Sequence, residues 1–394
     1  MERKSVRLSK KRRIIYDEES KTSESEDSQY EQEIKVDRLE VEMKNKISRF
    51  PLPEKVKDSL FQMSDDYFNQ DMDSSDKYKI KKYLDGLMNI PFGKYASREI
   101  KKESSFSEKR DFLLKIKNGM DKYIFGQEKA KSMIIEIIAK RINNSEGNGN
   151  IIALSGPPGI GKTSLIRDGL AKSYGVPFKF VSLGGARHTS TLKGSDFSFI
   201  GAGWGKIVDI LMKCECMDPI IFFDELDKVS ISDEGMDIIS SLTHLTDPSQ
   251  NKEWEDSYYS GVPFDLSRAT IIFSLNDENK LPEPLRDRIT IVRMKGFDEK
   301  EKLEIANRYT IPKLCQDIGI SKEKILFPMD TIRFIISEIC QNEKGVRKLE
   351  QVLRSIIMKF NYFDMIELGK EEYKSFNPYR VDTFTAKMIM EMVN

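Results

Sequence analysis

Apolar residues recur along this chain with two different periods, and the changes of period mark out its parts. From about residue 36 to 105 they fall at helical intervals, in "VDRLEVEMKNKISRF", in "LPEKVKDSLFQM" after a proline break, and in "DKYKIKKYLDGLMNIPF", which Pro91 ends. Such spacing predicts helical hairpins or a small bundle. A break is expected near "SREIKKESSFSEKR", and "MDKYIFGQEKAKSMIIEIIAKRI" then predicts a turn leading into a helix, with Gly126 near its start. After the loop "NNSEGNGN" the pattern changes. "NIIALSG", "FKFVSLGG", "DPIIFFDE" and "ATIIFSLN" are short, apolar and β-rich, and helical patterns lie between them: from about Lys162, in "GKIVDILMKC", and near "MDIISSLTHL". Strands alternating with helices predict an α/β domain with a mostly parallel sheet. From Asp298 the period is helical again: Ile332, Ile335, Ile336 and Ile339 line one face, and Leu349, Val352, Leu353, Ile356 and Ile357 another. That predicts a separate small helical domain. The expected division is a tail over 1–35, a helical segment over 36–105, a large α/β domain over 106–297 and a small helical domain over 298–394.

Composition narrows the possibilities. The 394 residues give room for two or three domains of roughly 150 each. Lys and Arg number 64 and Asp and Glu 64, so net charge supplies no general attraction to nucleic acid or an anionic membrane. The longest apolar run, around "PIIFF", is far below the roughly 20 residues of a membrane span, and no apolar stretch follows the N-terminal charges as in a signal peptide. The cysteines, Cys214, Cys216, Cys315 and Cys340, form no CxxC pair, and the histidines are His188 and His244 alone. A zinc site or a disulfide framework is not expected from these, and a reducing compartment is. The tail is basic in "MERKSVRLSKKRR" and acidic in "DEESKTSESEDSQYEQE", with too few apolar residues to offset the entropy of ordering. "KKRR" is a candidate nuclear import signal, and the acids from Asp17 onward argue against a long mitochondrial presequence. The expectation is a soluble intracellular protein without a membrane partner.

Chemistry is concentrated in a few short stretches. "GPPGIGKT", Gly156 to Thr163, comprises Gly156, Pro157, Pro158, Gly159, Ile160, Gly161, Lys162 and Thr163 and matches G-x-x-x-x-G-K-[ST] between a strand and a helix. In such a loop backbone N–H groups turn inward around phosphates, the lysine adds charge at the β- and γ-phosphates, and the Thr163 hydroxyl is offered to Mg²⁺. "PIIFFDE" ends an apolar strand on two carboxylates whose side chains point different ways. Asp224 can face Mg²⁺, and Glu225 can activate a water against the γ-phosphate. Asn276 ends the run "IIFSLN", where it can hold that water or the phosphate. The arginines of "LPEPLRDRI" can stabilise transition-state charge on a phosphate, often from a neighbouring subunit, and Arg347 of "KGVRKLE" can reach the nucleotide from the small domain. One loop is odd. "DFSFIGAGWGK", residues 196–206, sets Phe197, Phe199, Ile200 and Trp204 among three glycines, either to fold back and bury them or to touch something else.

Together these stretches resemble the AAA+ ATPase module of the Lon protease family. "GPPGIGKTSLIRDGLA", "VSLGGARHTSTLKG", "FIGAGWGKI", "IIFFDELDKVS", "DPSQN", "VPFDLSRA" and "PEPLRDRI" follow in the family's order, "YLDGLMNIPFGKY" is similar to its segment before the ATPase domain, and "GVRKLEQVLR" to its second sensor helix. The resemblance implies ATP and Mg²⁺ as cofactors. Lys162, Thr163 and Ser164 fall in Walker A, with Asp224 and Glu225 as the Walker B pair. It makes Asn276 the first sensor, Arg288 the arginine finger with Arg286 as runner-up, and Arg347 the second sensor. Tyr123 and Ile124 of "KYIFG" fall where the family holds the adenine. It implies a homohexameric ring. Its pore-facing loop would be "FSFIGAGWG", with Phe199 and Ile200 gripping unfolded polypeptide and glycines allowing movement.

Two departures shape the expected function. No Gly/Ser-rich motif carrying the family's catalytic serine occurs, and the chain stops at Asn394, about where the helical domain should end; the large N-terminal recruiting domain is replaced by the short tail. After Walker B, "SISDEGMDIISSLTHL" differs from the usual pattern, with His244 where an acid is usual. The expectation is a protease-less Lon-like ATPase that unfolds or remodels proteins, alone or feeding a separate peptidase. Alternatives are a nucleic-acid remodeller, for which "KIKKY", "IKK", Lys193 and Lys206 make only short basic patches, and a nucleotide-binding scaffold without turnover.

Overall fold

The structure, a computed structural model, describes residues 38–68, 73–96, 100–144, 151–185, 188–229 and 232–366. The tail over 1–35 and the end of the small domain lie outside the described residues. Met1–Asn89 and Ile90–Asn394 form two units. In the first, helix α1 covers 38–49, α2 is Glu54–Phe68 and α3 is Ser74–Asn89. Ile47, Leu60, Leu84 and Leu87 are buried, one helical stripe from each element.

In the second unit residues 100–105 are non-helical, where a break was expected, and a helix begins within the same stretch. Helix α4, Phe106–Tyr123, starts in a capping box: Glu108 N–H donates to Ser105 Oγ, and Ser105 N–H donates to the Glu108 carboxylate. Its buried stripe is only Phe112, Ile116 and Met120, so the charges between them dilute the apolar signal. Helix α5, Glu128–Asn143, comes next.

Five strands form a sheet: β1 (Ile151–Ser155), β2 (Phe178–Ser182), β3 (Ile220–Asp224), β6 (Thr270–Leu275) and β7 (Thr290–Arg293), in the order β2-β3-β6-β1-β7, every pairing parallel. Strands β1, β3 and β6 read as continuous apolar runs because helices cover both faces. Strand β7 lacks that signature; it lies at the sheet edge, and of its four residues only Val292 is fully buried. A second pair, β4 (Trp254–Glu255) and β5 (Pro263–Phe264), is antiparallel and too short to show a period.

Helix α6 begins at Lys162–Ser164, continues as a π-helix over Leu165–Ala171 and ends at Lys172–Tyr174. The other long helices of the α/β part are α7 (Lys206–Cys214) and α8 (Asp233–Thr246). Residues from α4, α5 and α6, among them Ile116, Ile134 and Leu165, build one core with Leu154, Phe222 and Ile272 of the sheet. On the opposite face, Phe223 and Phe273 stack at 5.2 Å, and both are fully buried. Each such side chain contributes about 1.5–3 kcal/mol. A second core, with Leu314, Ile332, Ile335, Leu349, Leu353 and Ile356, joins α9 (Glu299–Ile305), α10 (Ile311–Ile318), α11 (Met329–Phe334) and α12 (Arg347–Ile366).

This strand order positions the site. Parallel strands end on one edge, and β3, β6 and β1 are neighbours. The segments leaving their C-terminal ends therefore meet at one crevice, where open α/β sheets take their ligands.

Candidate active site

A cleft of about 400 Å³ lies at that edge. The loop after β1, the acids ending β3 and Asn276 after β6 line it, with Tyr123, Ile124 and Phe125 on one side and Tyr309 and Arg347 on another. The loop is left-handed at Gly159 (φ 77°) and Gly161 (φ 89°), a region open to glycine. Gly161 has a second constraint: a Cβ there would lie 2.6 Å from Ile124 Cδ1.

Lys162 is the electrostatic centre. Its ammonium donates to Asn276 Oδ1 at 2.7 Å, Leu275 O at 3.2 Å, Pro157 O at 3.3 Å and also Gly156 O. All four acceptors are neutral oxygens. Burial disfavours its charge and Arg347 repels it, while Asp224 and Asp227 attract it from further off; the net result pushes Lys162 down to about 8. A buried cation without a carboxylate partner is a site for an anion.

The acids are fixed by Ser274, which no motif marks. Its hydroxyl donates to Asp224 Oδ1 and accepts from Glu225 N–H at 3.3 Å. Glu225 itself sits in the left-handed region at φ 62°, which turns its carboxylate from the strand direction toward Gly184, where an added Cβ would lie 2.1 Å from Oε2. Asp227, equally unmarked, is buried, and its carboxylate accepts from the backbone N–H of Asn276 at 3.2 Å. Both contacts join residues 49 or 50 positions apart, and no local pattern announces them.

The wall expected to hold a base is built from packing. Buried Lys131 donates to Asp121 Oδ1 at 2.6 Å and to Ile124 O at 2.8 Å, fixing the end of α4. Tyr309 OH donates to Asp121 O at 3.1 Å, and its ring meets Phe125 edge-on at 6.4 Å. Tyr123, Ile124, Phe125 and Tyr309 thus give an apolar, aromatic surface suited to a flat ring.

The start of α12 touches the phosphate loop directly. Val346 N–H donates to Gly159 O at 3.0 Å, and a Cβ at Gly345 would lie 2.2 Å from Pro158 O. Gly345→Ala is therefore expected to push the two segments apart and weaken binding of ATP, the ligand the sequence resemblance implies, about tenfold by calorimetric titration, with little change in an unliganded far-UV spectrum.

Arg288 and Arg286 are not brought to this cleft. Arg288 pairs with Asp247 at 3.3 Å and donates to Pro284 O at 2.7 Å, while Arg286 donates to Glu278 O at 2.8 Å. The aromatic loop is split between the two readings offered for it. Phe197 packs edge-on against Tyr258 at 5.7 Å, and Trp204 meets Tyr258 at 5.9 Å and Tyr259 at 6.3 Å. Phe199 is 66% and Ile200 97% exposed. The glycines divide similarly. Gly201 has open space, but Gly205 is a close-packing residue, since its Cβ would lie 2.1 Å from Leu192 O.

A parallel sheet whose strand ends gather this loop, these acids and this asparagine is similar to an AAA module, and residues 152–297 match the family "ATPase family associated with various cellular activities (AAA)". The fold is also that of Hsp104 in the S. cerevisiae Hsp104:casein complex, extended conformation, with a TM-score of 0.52 and 14% identity over 68% of this chain and 49% of that one. More particularly, the module is Lon-like. The chain is 34% identical to a Lon protease homolog of Acanthamoeba polyphaga mimivirus over 84% of its own length and 32% of that protein's. It is 32% identical to the Lon protease of Malacoplasma penetrans over 88% and 43%, and 30% identical to the mitochondrial Lon protease homolog of Homo sapiens over 90% and 35%. The chain thus spans 32–43% of the length of these relatives. Among the described residues no helix is long and apolar enough to cross a membrane.

Proposed function

We propose that this chain hydrolyses ATP in a homohexameric ring and uses the cycle to unfold, translocate or remodel proteins. The observation that carries the reading is the Lys162 ammonium, buried among neutral oxygens where β1, β3 and β6 end. We take 106–297 as the large ATPase domain and 298–394 as its small helical partner. No described residue is assigned to peptide-bond cleavage.

In this reading the backbone from Gly156 to Ser164 and Lys162 hold the phosphates, and the base lies against Tyr123 and Ile124. Thr163 and Asp224 fit Mg²⁺: they are hard oxygen donors, and among the described residues no cluster of three or more His, Cys, Asp or Glu offers an all-protein cage. Held by these two side chains, Mg²⁺ would offset phosphate charge. Glu225 takes the proton of the attacking water as its oxygen bonds to the γ-phosphorus and the bond to ADP breaks. Asn276 keeps its amide N–H₂ to orient that water, because Oδ1 already accepts from Lys162. Arg347 faces the developing charge from its own chain. Arg288 lies outside its own cleft, which supports its reaching the site of a neighbouring copy.

The exposed Phe199–Ile200 tip is the polypeptide contact, apolar and so largely indifferent to sequence. A protein of the same fold is known in complex with casein. Casein is thus a suitable probe of steady-state ATPase. Casein is expected to stimulate turnover, and Phe199→Ala to raise the casein concentration needed by about tenfold, the effect of losing one large apolar contact. Stimulation by DNA and not by casein would assign the ring to nucleic acid. Absence of turnover would leave a nucleotide-binding scaffold.

A further inference from the structure

The exposed tip needs a rigid base, and the base is held by a buried charge. Asp256, just after β4, has no solvent exposure. Its Oδ2 accepts from Gly205 N–H at 2.8 Å, and its Oδ1 accepts from Tyr258 N–H at 2.9 Å; the backbone N–H of Tyr259 also donates to it. Gly205 ends the aromatic loop and is the N-cap of α7, which has no side-chain cap of its own. Oδ1 also lies where a Cβ of Gly194, at the loop's other end, would be 2.8 Å away, and Ser257 N–H donates to Lys193 O at 2.6 Å. One carboxylate therefore touches both ends of the loop and the hairpin whose tyrosines carry Phe197 and Trp204.

We propose that Asp256 is a positioning residue that sets how firmly the Phe199–Ile200 tip engages a polypeptide. The inference rests on the reading of that tip as the polypeptide contact. An anion with two oxygens can accept from the loop end and the hairpin at once, and it complements the positive end of α7. A neutral amide offers one acceptor and turns N–H₂ against an N–H. The tip would then be tied to its support on one side only.

Charge state gives a second handle. Burial pushes the Asp256 carboxyl up to about 6, opposed by the N–H groups of Gly205, Tyr258 and Tyr259 and by Lys193. Lys206, at the start of α7, is occupied by Asp209 at 3.0 Å. Because the folded value is raised, the cost of burying the charge grows as pH rises from 3.8 to about 6 and is full above that. Acidification thus relieves the fold while removing the anion that ties the loop.

The test compares wild type, Phe199→Ala and Asp256→Asn in ATPase titrations with casein and with ATP. Asp256→Asn is expected to raise the KM for casein about tenfold, the loss of one charge-assisted bond, with the KM for ATP within about twofold. In wild type the KM for casein is expected to rise as pH falls through about 6, and in Asp256→Asn to lose that dependence. Wild type and Phe199→Ala differing while Asp256→Asn matches wild type overturns the inference alone. So does a joint rise of both KM values, which marks general damage. A wild-type casein KM flat through this pH range overturns it even if the variant does not fold. Absence of any casein response in wild type defeats the underlying reading of the tip instead.

Discussion

Replacing Glu225 with glutamine is expected to lower ATP turnover by roughly 10²–10⁴-fold, the usual span for losing a general base, while ATP affinity stays within about threefold. The swap keeps size and hydrogen-bonding reach but removes basicity. It also leaves the backbone alone, since the left-handed conformation at φ 62° is as accessible to glutamine as to glutamate. Glu225 N–H would still donate to Ser274 Oγ, so Asp224, held by the same hydroxyl, stays in place. In the proposed reading the phosphates are met by the loop and Lys162, not by Glu225, so affinity is spared. Single-turnover hydrolysis and equilibrium nucleotide binding separate the two effects. Turnover within about threefold of wild type would show that Glu225 does not take the proton. A matching loss of affinity would place it in binding.

How much of this was legible in the chain depends on how local each interaction is. The phosphate loop, the apolar β1, β3 and β6, and the acids after "IIFF" are contiguous, so their chemistry can be read in order. The stripe of Ile332, Ile335 and Ile336 is nearly as plain, and all three are buried. What escaped is set by distant partners. Ser274 is one residue inside a fully buried strand, and nothing nearby shows that its hydroxyl orients acids from another strand. Asp227 comes soon after Asp224 and Glu225 in "DELDK", yet its role lies with the backbone of Asn276. Helix α4 was hidden because three buried positions suffice to anchor it, and β7 because an edge strand shares its burial with solvent. The aromatic loop was half legible. Its composition posed the question, but only packing against Tyr258 and Tyr259 distinguishes Trp204, an anchor, from Ile200, a contact surface.

The other large effect is expected at Lys162. Lys162→Met should weaken ATP binding roughly 100-fold or more, since it removes charge-assisted bonds to phosphate worth about 1.5–3 kcal/mol each. The lysine also gives that binding a pH dependence whose sign is set by its surroundings. Burial first, then Arg347, hold it down to about 8, and bound phosphates favour the charged form and raise it. At pH near 8 the empty site is therefore about half protonated and the filled site fully so, and binding takes up a fraction of a proton. Affinity should fall as pH rises above 8. Without nucleotide the sign reverses for stability. Between about 8 in the fold and 10.5 in the unfolded chain, the unfolded chain binds more protons, so the cost of burying the ammonium is full below 8 and is relieved as pH rises. The rise in Tm produced by saturating nucleotide should accordingly shrink from pH 8 upward. Titration calorimetry at pH 8 in two buffers of different ionisation heat measures the uptake directly. Lys162→Arg, which carries its charge throughout this range, should show none, because a guanidinium does not titrate there. Equal uptake in that variant would assign the proton to another group and remove Lys162 from the centre of the site.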